Sequence, residues 1–204
     1  MKKYILLFAL MLAFQTAKAQ QIEITPMFGF TFNGSADTFS GELDMKDDIS
    51  YGGQLSFGLS SGNVLQLSYM RNEADMIFRP YRGSTLPSER FKMGAEHYQI
   101  GFVREFGSGD TVPFGLVSLG TTRYFEKSGE FSDHWSFSGS LGGGVKKYFS
   151  ERVGIKLQAS LILPMELRGG GFFCGPYGCG SNASFYVPIV HFELAAGIIF
   201  QLPQ

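Results

Sequence analysis

Apolar and polar residues alternate with a period of two along most of this chain, and beyond its first twenty residues no window holds a convincing helical spacing of three and four. In YGGQLSFGLS, Tyr51 to Ser60, Leu55, Phe57 and Leu59 point one way while Gln54, Ser56 and Gly58 point the other. VLQLSYM repeats the pattern with Leu65, Leu67 and Tyr69 against Gln66 and Ser68, and Ser61-Gly62-Asn63 between the two runs reads as a short hairpin turn. Trp135, Phe137, Leu141 and Val145 alternate with Ser136, Ser138, Ser140, Gly142 and Gly144. After the tight turn Ser150-Glu151-Arg152, Ile155, Leu157, Ala159, Leu161 and Leu163 alternate with Lys156, Gln158 and Ser160. The last run sets Val190, Phe192, Leu194, Ala196, Ile198 and Phe200 against Glu193, Ala195 and Gly197. The fold class is therefore all-β.

Eight such runs can be drawn: Ile22 to Phe32, Asp48 to Ser60, Val64 to Asp75, Met93 to Phe106, Pro113 to Phe125, His134 to Tyr148, Val153 to Glu166 and Tyr186 to Phe200. Most exceed the ~5–6 residues usual in soluble strands and reach the ~9–11 that a tilted strand needs to cross a bilayer. Their connections alternate in length. Asn33 to Asp47, Met76 to Lys92, Glu126 to Asp133 and Leu167 to Ser184 are long or fairly long, whereas Ser61 to Asn63, Gly107 to Val112 and Ser150 to Arg152 are short. The fifth run, PFGLVSLGTTRYF, fits least well, because Val117 and Leu119 fall on its expected polar face.

Compartment is read from the first twenty residues. Lys2 and Lys3, the apolar run Tyr4 to Phe14 and the small-x-small Ala17-Lys18-Ala19 form the three parts of a cleaved secretory signal, residues 1–19, with residues 20–204 as a single domain. A retained N-terminal anchor is the weaker reading, since the run is about half the ~20 residues that a spanning helix needs. Losing this segment removes three lysines and no acid, so 17 basic against 18 acidic side chains become 14 against 18. No nucleic-acid partner is expected of so mildly acidic a chain. The 27 glycines, 21 phenylalanines and 9 tyrosines, with few charges, point again to strands.

With an even number of long strands, long loops at one end and short turns at the other, the chain resembles the small eight-stranded outer-membrane barrels, the group of the OmpA membrane domain, OmpX and OmpW. HFELAAGIIF resembles the closing strand of such proteins, which commonly ends on an aromatic recognised by the barrel insertion machinery; here Gln201-Leu202-Pro203-Gln204 follows Phe200. The resemblance implies an antiparallel up-and-down transmembrane β-barrel in the outer membrane of a Gram-negative-type cell, with short periplasmic turns and long extracellular loops. A soluble lipocalin-like barrel or secreted sandwich is the alternative, because alternation alone does not say which face is inside. The polar face is mostly glycine, serine and glutamine, small enough for a narrow lumen, which favours the membrane reading. Tyr51, Tyr69, Phe106, Tyr124, Trp135, Tyr148 and Tyr186 lie near strand ends, where interfacial girdles form.

Strand phase sends Glu23, Lys146, Lys156 and Glu193 into the lumen, where charges are costly unless paired. An internal ion-pair network is expected; a narrow, OmpW-like path for small solutes is the alternative. His134-Trp135-Ser136 places a histidine and a serine on one strand face, as a general base and its nucleophile would need, and faintly resembles the pair of lipid A deacylases. Trp135 takes the lipid side, however, which turns His134 and Ser136 away from acyl chains, so a lipid-modifying hydrolase is the least favoured function. Glu126 and Glu130 are the nearby acids. His97 and His191 are scattered, DMKDD at Asp44 to Asp48 lacks the spacing of a calcium loop, and neither a metal nor a cofactor is expected.

The loops offer partners. The first carries Asp37, Glu42, Asp44 and Asp47; the second carries Arg79, Arg82, Arg90 and Lys92. The arginines suit phosphates of lipopolysaccharide, or else the two loops attract one another. GGGFFCGPYGCGSN, Gly169 to Asn182, holds the only two cysteines. In an oxidising compartment Cys174 and Cys179 are expected to pair across the turn Gly175-Pro176-Tyr177-Gly178, contributing about 2 kcal/mol and displaying Phe172, Phe173 and Tyr177. The expected function is a non-catalytic barrel that supports the membrane or presents its loops to a ligand or an unknown envelope or extracellular protein, as an accessory of an envelope assembly or secretion system. Its expected surroundings are outer-membrane lipid and lipopolysaccharide.

Overall fold

The computed structural model describes residues 21–37, 41–60, 62–81, 87–107, 109–126, 133–175, 178–186 and 189–203, with side chains described at all of these except 36, 37, 41, 43, 60, 89, 91, 126, 166–175 and 178–186. The segment read as a secretory signal lies outside them, as do Arg82, Tyr177 and Glu130. In chain order the strands are β1 (Ile22–Asn33), β2 (Ser35–Asp37), β3 (Gly41–Met45), β4 (Asp48–Ser60), β5 (Asn63–Pro80), β6 (Glu89–Glu105), β7 (Thr111–Glu126), β8 (His134–Tyr148), β9 (Val153–Gly175), β10 (Gly178–Tyr186) and β11 (His191–Gln201).

Eight of them close a single antiparallel ring in the order β1, β4, β5, β6, β7, β8, β9 and β11. Closure is made by β1 on β11, from Glu23 opposite Gln201 to Asn33 opposite His191. Every stave is thus paired on both sides, which is what a strand in hydrocarbon requires. The periplasmic turns are tight: Gly62 has φ +74°, and its carbonyl accepts the Glu105 N–H at 2.8 Å. A side chain at Gly62 would be strained at that φ.

The long connections are more ordered than alternation suggests. β2 and β3 form a small hairpin within the first, and β3 pairs with the outer end of β5 from Met45 opposite Met76 to Gly41 opposite Pro80. The segment expected as a loop from Leu167 to Ser184 is instead a second hairpin, β9 with β10, running on above the ring. The last stave therefore begins at His191, and Tyr186 ends β10. Glycine-rich sequence hid this hairpin: Gly169, Gly170 and Gly171 carry no side chain to alternate.

Alternation maps onto outside and inside. Phe28, Ile100, Leu141, Leu157 and Leu194 stand exposed on the outer wall, while Gln54, Gln66, Gln99, Ser118, Ser138 and Ser160 are buried in the lumen. The interior of an eight-stranded barrel is filled by side chains, so the exposed apolar wall is the surface that meets lipid. One stave departs from expectation. In β7, Val117 and Leu119 are 55% and 57% exposed and face outward, and it is Phe114 and Leu116 that point inward. The lumen accepts them because neighbouring strands offer glycines there: a Cβ on Gly144 would lie 2.9 Å from the Phe114 ring, and one on Gly101 would lie 2.7 Å from Leu116. Two girdle aromatics also turn inward, Tyr124 and Tyr148, whereas Tyr51, Phe106 and Trp135 remain on the wall.

The inverted phase of β7 is testable. Val117 pairs with Phe102 near the middle of the wall, so Val117→Arg should destabilise the protein in lipid vesicles by about 2–4 kcal/mol, measured by urea unfolding, with Val117→Leu near neutral. Equal stability of the arginine variant would place Val117 away from lipid.

Candidate functional site: the lumen and the upper outer wall

The strand phases converge buried polar groups along the lumen, and these decide whether anything can pass. Near the periplasmic end Lys146 Nζ donates to Glu23 Oε2 at 2.6 Å and to Glu105 Oε1 at 2.7 Å, and the Tyr148 hydroxyl donates to Glu23 Oε1 at 2.6 Å. Higher up, Lys156 Nζ donates to the side-chain carbonyls of Gln54 and Gln66, each at 2.6 Å, and lies 4.7 Å from the centre of the Phe114 ring. Gln54 Nε2 in turn donates to Gln158 Oε1 at 3.2 Å. Ser118 Oγ donates to Gln99 Oε1 and pairs with Ser140 Oγ, while Gln99 Nε2 donates to Ser138 Oγ at 2.9 Å.

Of the four lumenal charges expected to form one network, Glu23 and Lys146 meet, and Lys156 and Glu193 do not join them. Lys156 is held by amide oxygens, and Glu193 Oε2 has no hydrogen-bond partner among the described residues. Glu105, which does join, sits at the last inward position of β6, where it reads in sequence as a solvated strand end.

The extracellular end is closed twice over. His191 is ringed by Tyr124, whose hydroxyl meets Nε2 at 2.7 Å, and by Asn33, whose Oδ1 meets Nδ1 at 2.5 Å. Asn33 uses its amide nitrogen on the Lys46 carbonyl, so Oδ1 is an acceptor. Nδ1 of His191 is then the donor, and Nε2 accepts from Tyr124. His97 packs against His191 with ring centres 5.1 Å apart and bonds Thr122 through Nδ1 at 2.9 Å. Above them Met45, Ala74, Met76, Ala95, Tyr124 and Ile189 form a buried apolar cap. Between cap and lysines the lumen keeps a cavity of about 20 Å³ beside His97, Gln99 and Glu193, room for about one water.

Of the candidate hydrolytic pair, Ser136 is buried and its hydroxyl has no hydrogen-bond partner among the described residues, while His134 stands exposed at the rim; the side chain of Glu126 lies outside the described ones. Among the loop cations, Arg79 Nη2 lies 3.2 Å from Asp44 Oδ2, an ion pair between the second and first extracellular connections, and Arg90 is exposed. Cys174 and Cys179 are directly opposite one another in the β9–β10 hairpin. Phe172 and Phe173 lie on the same β9 arm, and their side chains, like those of the cysteines, are outside the described ones.

A second polar cluster, on the outer wall, escapes strand-by-strand reading. Arg71, Glu96 and Arg123 are successive cross-strand partners on β5, β6 and β7. Glu96 takes Arg71 Nη1 at 2.9 Å on one oxygen and Arg123 Nη1 at 3.0 Å on the other. The hydroxyls of Tyr69 and Tyr98 donate to the same carboxylate, at 3.2 and 3.0 Å. Glu73 and Asp133 hold the outer sides of the two arginines, and the Phe125 ring lies between them, 4.6 Å from Arg71 and 5.3 Å from Arg123. The signal available in sequence was a charge one pleat beyond the outward aromatic, in Tyr69-x-Arg71 and Glu96-x-Tyr98. Only register unites them.

No protein-family model and no curated protein matches the chain. Solved structures do. The neisserial surface protein NspA superposes with a TM-score of 0.59 at 11% identity, over 89% of this chain and 97% of that one. OprG of Pseudomonas aeruginosa, an outer-membrane protein, superposes with a TM-score of 0.62 at 12% identity, over 92% of this chain and 98% of that one. The fold is that of the small outer-membrane barrels.

Lys146 and Glu23 are buried, at 1% and 7% side-chain exposure, so Lys146→Met should cost about 3–5 kcal/mol by stranding carboxylates. Urea unfolding of the single variant and of Lys146→Met with Glu23→Gln would check this; the double variant should recover part of the loss.

Proposed function

We propose that this outer-membrane barrel is neither an enzyme nor a channel and acts through its extracellular surface, as a structural element or as a scaffold that presents its hairpins to a ligand or partner protein. The observation that carries the reading is the filled lumen: an ion-paired layer, a lysine–amide layer, a histidine layer and an apolar cap follow one another along the axis. A solute path would need these to open together.

The surfaces offered outward are the long β9–β10 hairpin and the β2–β3 hairpin, which rise from opposite staves of the ring. In this reading Cys174 and Cys179 form a disulfide across the longer hairpin; directly opposed antiparallel residues lie within the Cα separation a disulfide spans. The bridge holds Phe172, Phe173 and Tyr177 on one stiff tip as the recognition element. Arg79 serves the hairpins themselves, through Asp44, more than a ligand. A partner protein in envelope assembly or secretion, and the machinery that inserts the barrel, are the proteins such a surface and its closing strand would meet.

Refolded protein in a planar bilayer should stay electrically silent while keeping its β circular dichroism; steady single-channel steps would contradict the filled lumen. On cells, a thiol-alkylating reagent should label Cys174 and Cys179 only after reduction, read by mass spectrometry. Labelling of either without reductant would remove the stapled tip.

A further inference from the structure

The outer-wall cluster has no evident task in closing the lumen, since Glu96 and both arginines sit on the lipid side of the sheet. Its height can be placed. From Phe106 at the periplasmic rim to Tyr98, the rise along β6 is about 20 Å at ~3.3 Å per residue and ~40° tilt. Tyr98 and Trp135, stacked with ring centres 6.0 Å apart, thus mark the outer interface. Glu96, Arg71 and Arg123 stand one pleat above it, level with lipid headgroups rather than acyl chains.

Directly below, the wall is hollow. Leu55, Leu67, Ile100 and Leu119 line an apolar groove of about 760 Å³ that ends upward at Tyr69 and Tyr98. Gly53 opens its floor: the nearest atom to a Cβ built there, the Thr25 carbonyl oxygen, is 3.7 Å away. A groove of this kind on a lipid-facing wall takes an acyl chain, and the tyrosine hydroxyls mark where that chain meets its headgroup.

The headgroup chemistry follows from the donors. A guanidinium has five N–H groups. Arg71 and Arg123 each use three on carboxylates and remain about 28% and 32% exposed. Glu96, itself 3% exposed, fixes the two arginines on either side of Phe125, so their unused donors are presented without further ordering. Two more cations, Arg90 and Lys92, stand exposed higher on the same face of β6 and make no ion pair among the described residues. The unused planar donors suit phosphate, with Arg90 and Lys92 offsetting the charge of the carboxylates Glu73, Glu96 and Asp133.

We propose that the β4–β7 face of the wall is a binding site for a phosphorylated glycolipid of the outer leaflet, of the lipid A class. One acyl chain lies in the groove over Gly53, and a headgroup phosphate bonds Arg71 and Arg123. Glu96 is a positioning residue: it holds the arginines and does not touch the lipid. The site is independent of whether the lumen conducts.

Native mass spectrometry of the full-length barrel released from detergent micelles tests this, with bisphosphorylated lipid A and the same lipid after phosphate removal as probes. The intact protein should retain the phosphorylated probe at least tenfold better than the dephosphorylated one. Arg71→Gln with Arg123→Gln should lose that preference, and Gly53→Leu, which fills the groove without touching an arginine, should weaken retention of both probes. Equal retention of the two probes by the intact protein, or unchanged retention by either variant, would overturn the site. Unboiled gel migration identifies folded variants, and the comparison of probes on the intact protein decides the matter if a variant does not fold.

Discussion

In hydrocarbon an unpaired backbone amide or carbonyl costs several kcal/mol, and no water is present to relieve it. A sheet in a membrane therefore has to close on itself, and the other features of this molecule follow from the closure of β1 on β11. With eight staves the ring encloses a space only as wide as side chains. The polar half of each alternating strand must satisfy its hydrogen bonds inside that space, and the apolar half must face lipid. The serines, glutamines and glycines of the inner face are the small residues such a lumen can hold. The two buried lysines are tolerated where a carboxylate or two amide oxygens stand opposite.

Closure also explains where the molecule differs from bead-like alternation. The lumen has to be filled as well as satisfied, so glycines on β6 and β8 admit Phe114 and Leu116 of β7. Above the membrane the constraint on β5 and β9 relaxes, and both continue past the ring, β5 between β3 and β6 and β9 with β10. The barrel thus fixes the bases of its outward hairpins by the same ladders that close it. The outer wall obeys a second rule: at the height where lipid tails give way to headgroups, its apolar positions change to tyrosine, tryptophan and then to the paired charges of Arg71, Glu96 and Arg123.

Strand identity was legible because period-two alternation is strong in the staves whose two faces differ most in chemistry. Asp48–Ser60 and His134–Tyr148 have the ends that alternation gives them. Phase was legible where one face is purely polar. It was ambiguous in β7, where Phe114 and Leu116 compete with Val117 and Leu119, and the glycines that settle the choice lie on other strands. The inward charges Glu23, Lys146, Lys156 and Glu193 could be named one by one, but not paired, because pairing depends on stagger around the ring. The same reason hid the outer-wall cluster. Each of its charges reads alone as a solvated strand end, and only the registers of β5 with β6 and β6 with β7 bring them into contact.

An apolar face that meets lipid around a closed ring keeps the barrel folded in detergent, and electrophoretic migration of the protein from isolated outer membranes tests that directly. The unboiled sample should run as a compact folded band and shift to the unfolded position on boiling. Recovery of the protein in the soluble periplasmic fraction, with one migration before and after boiling, would contradict it.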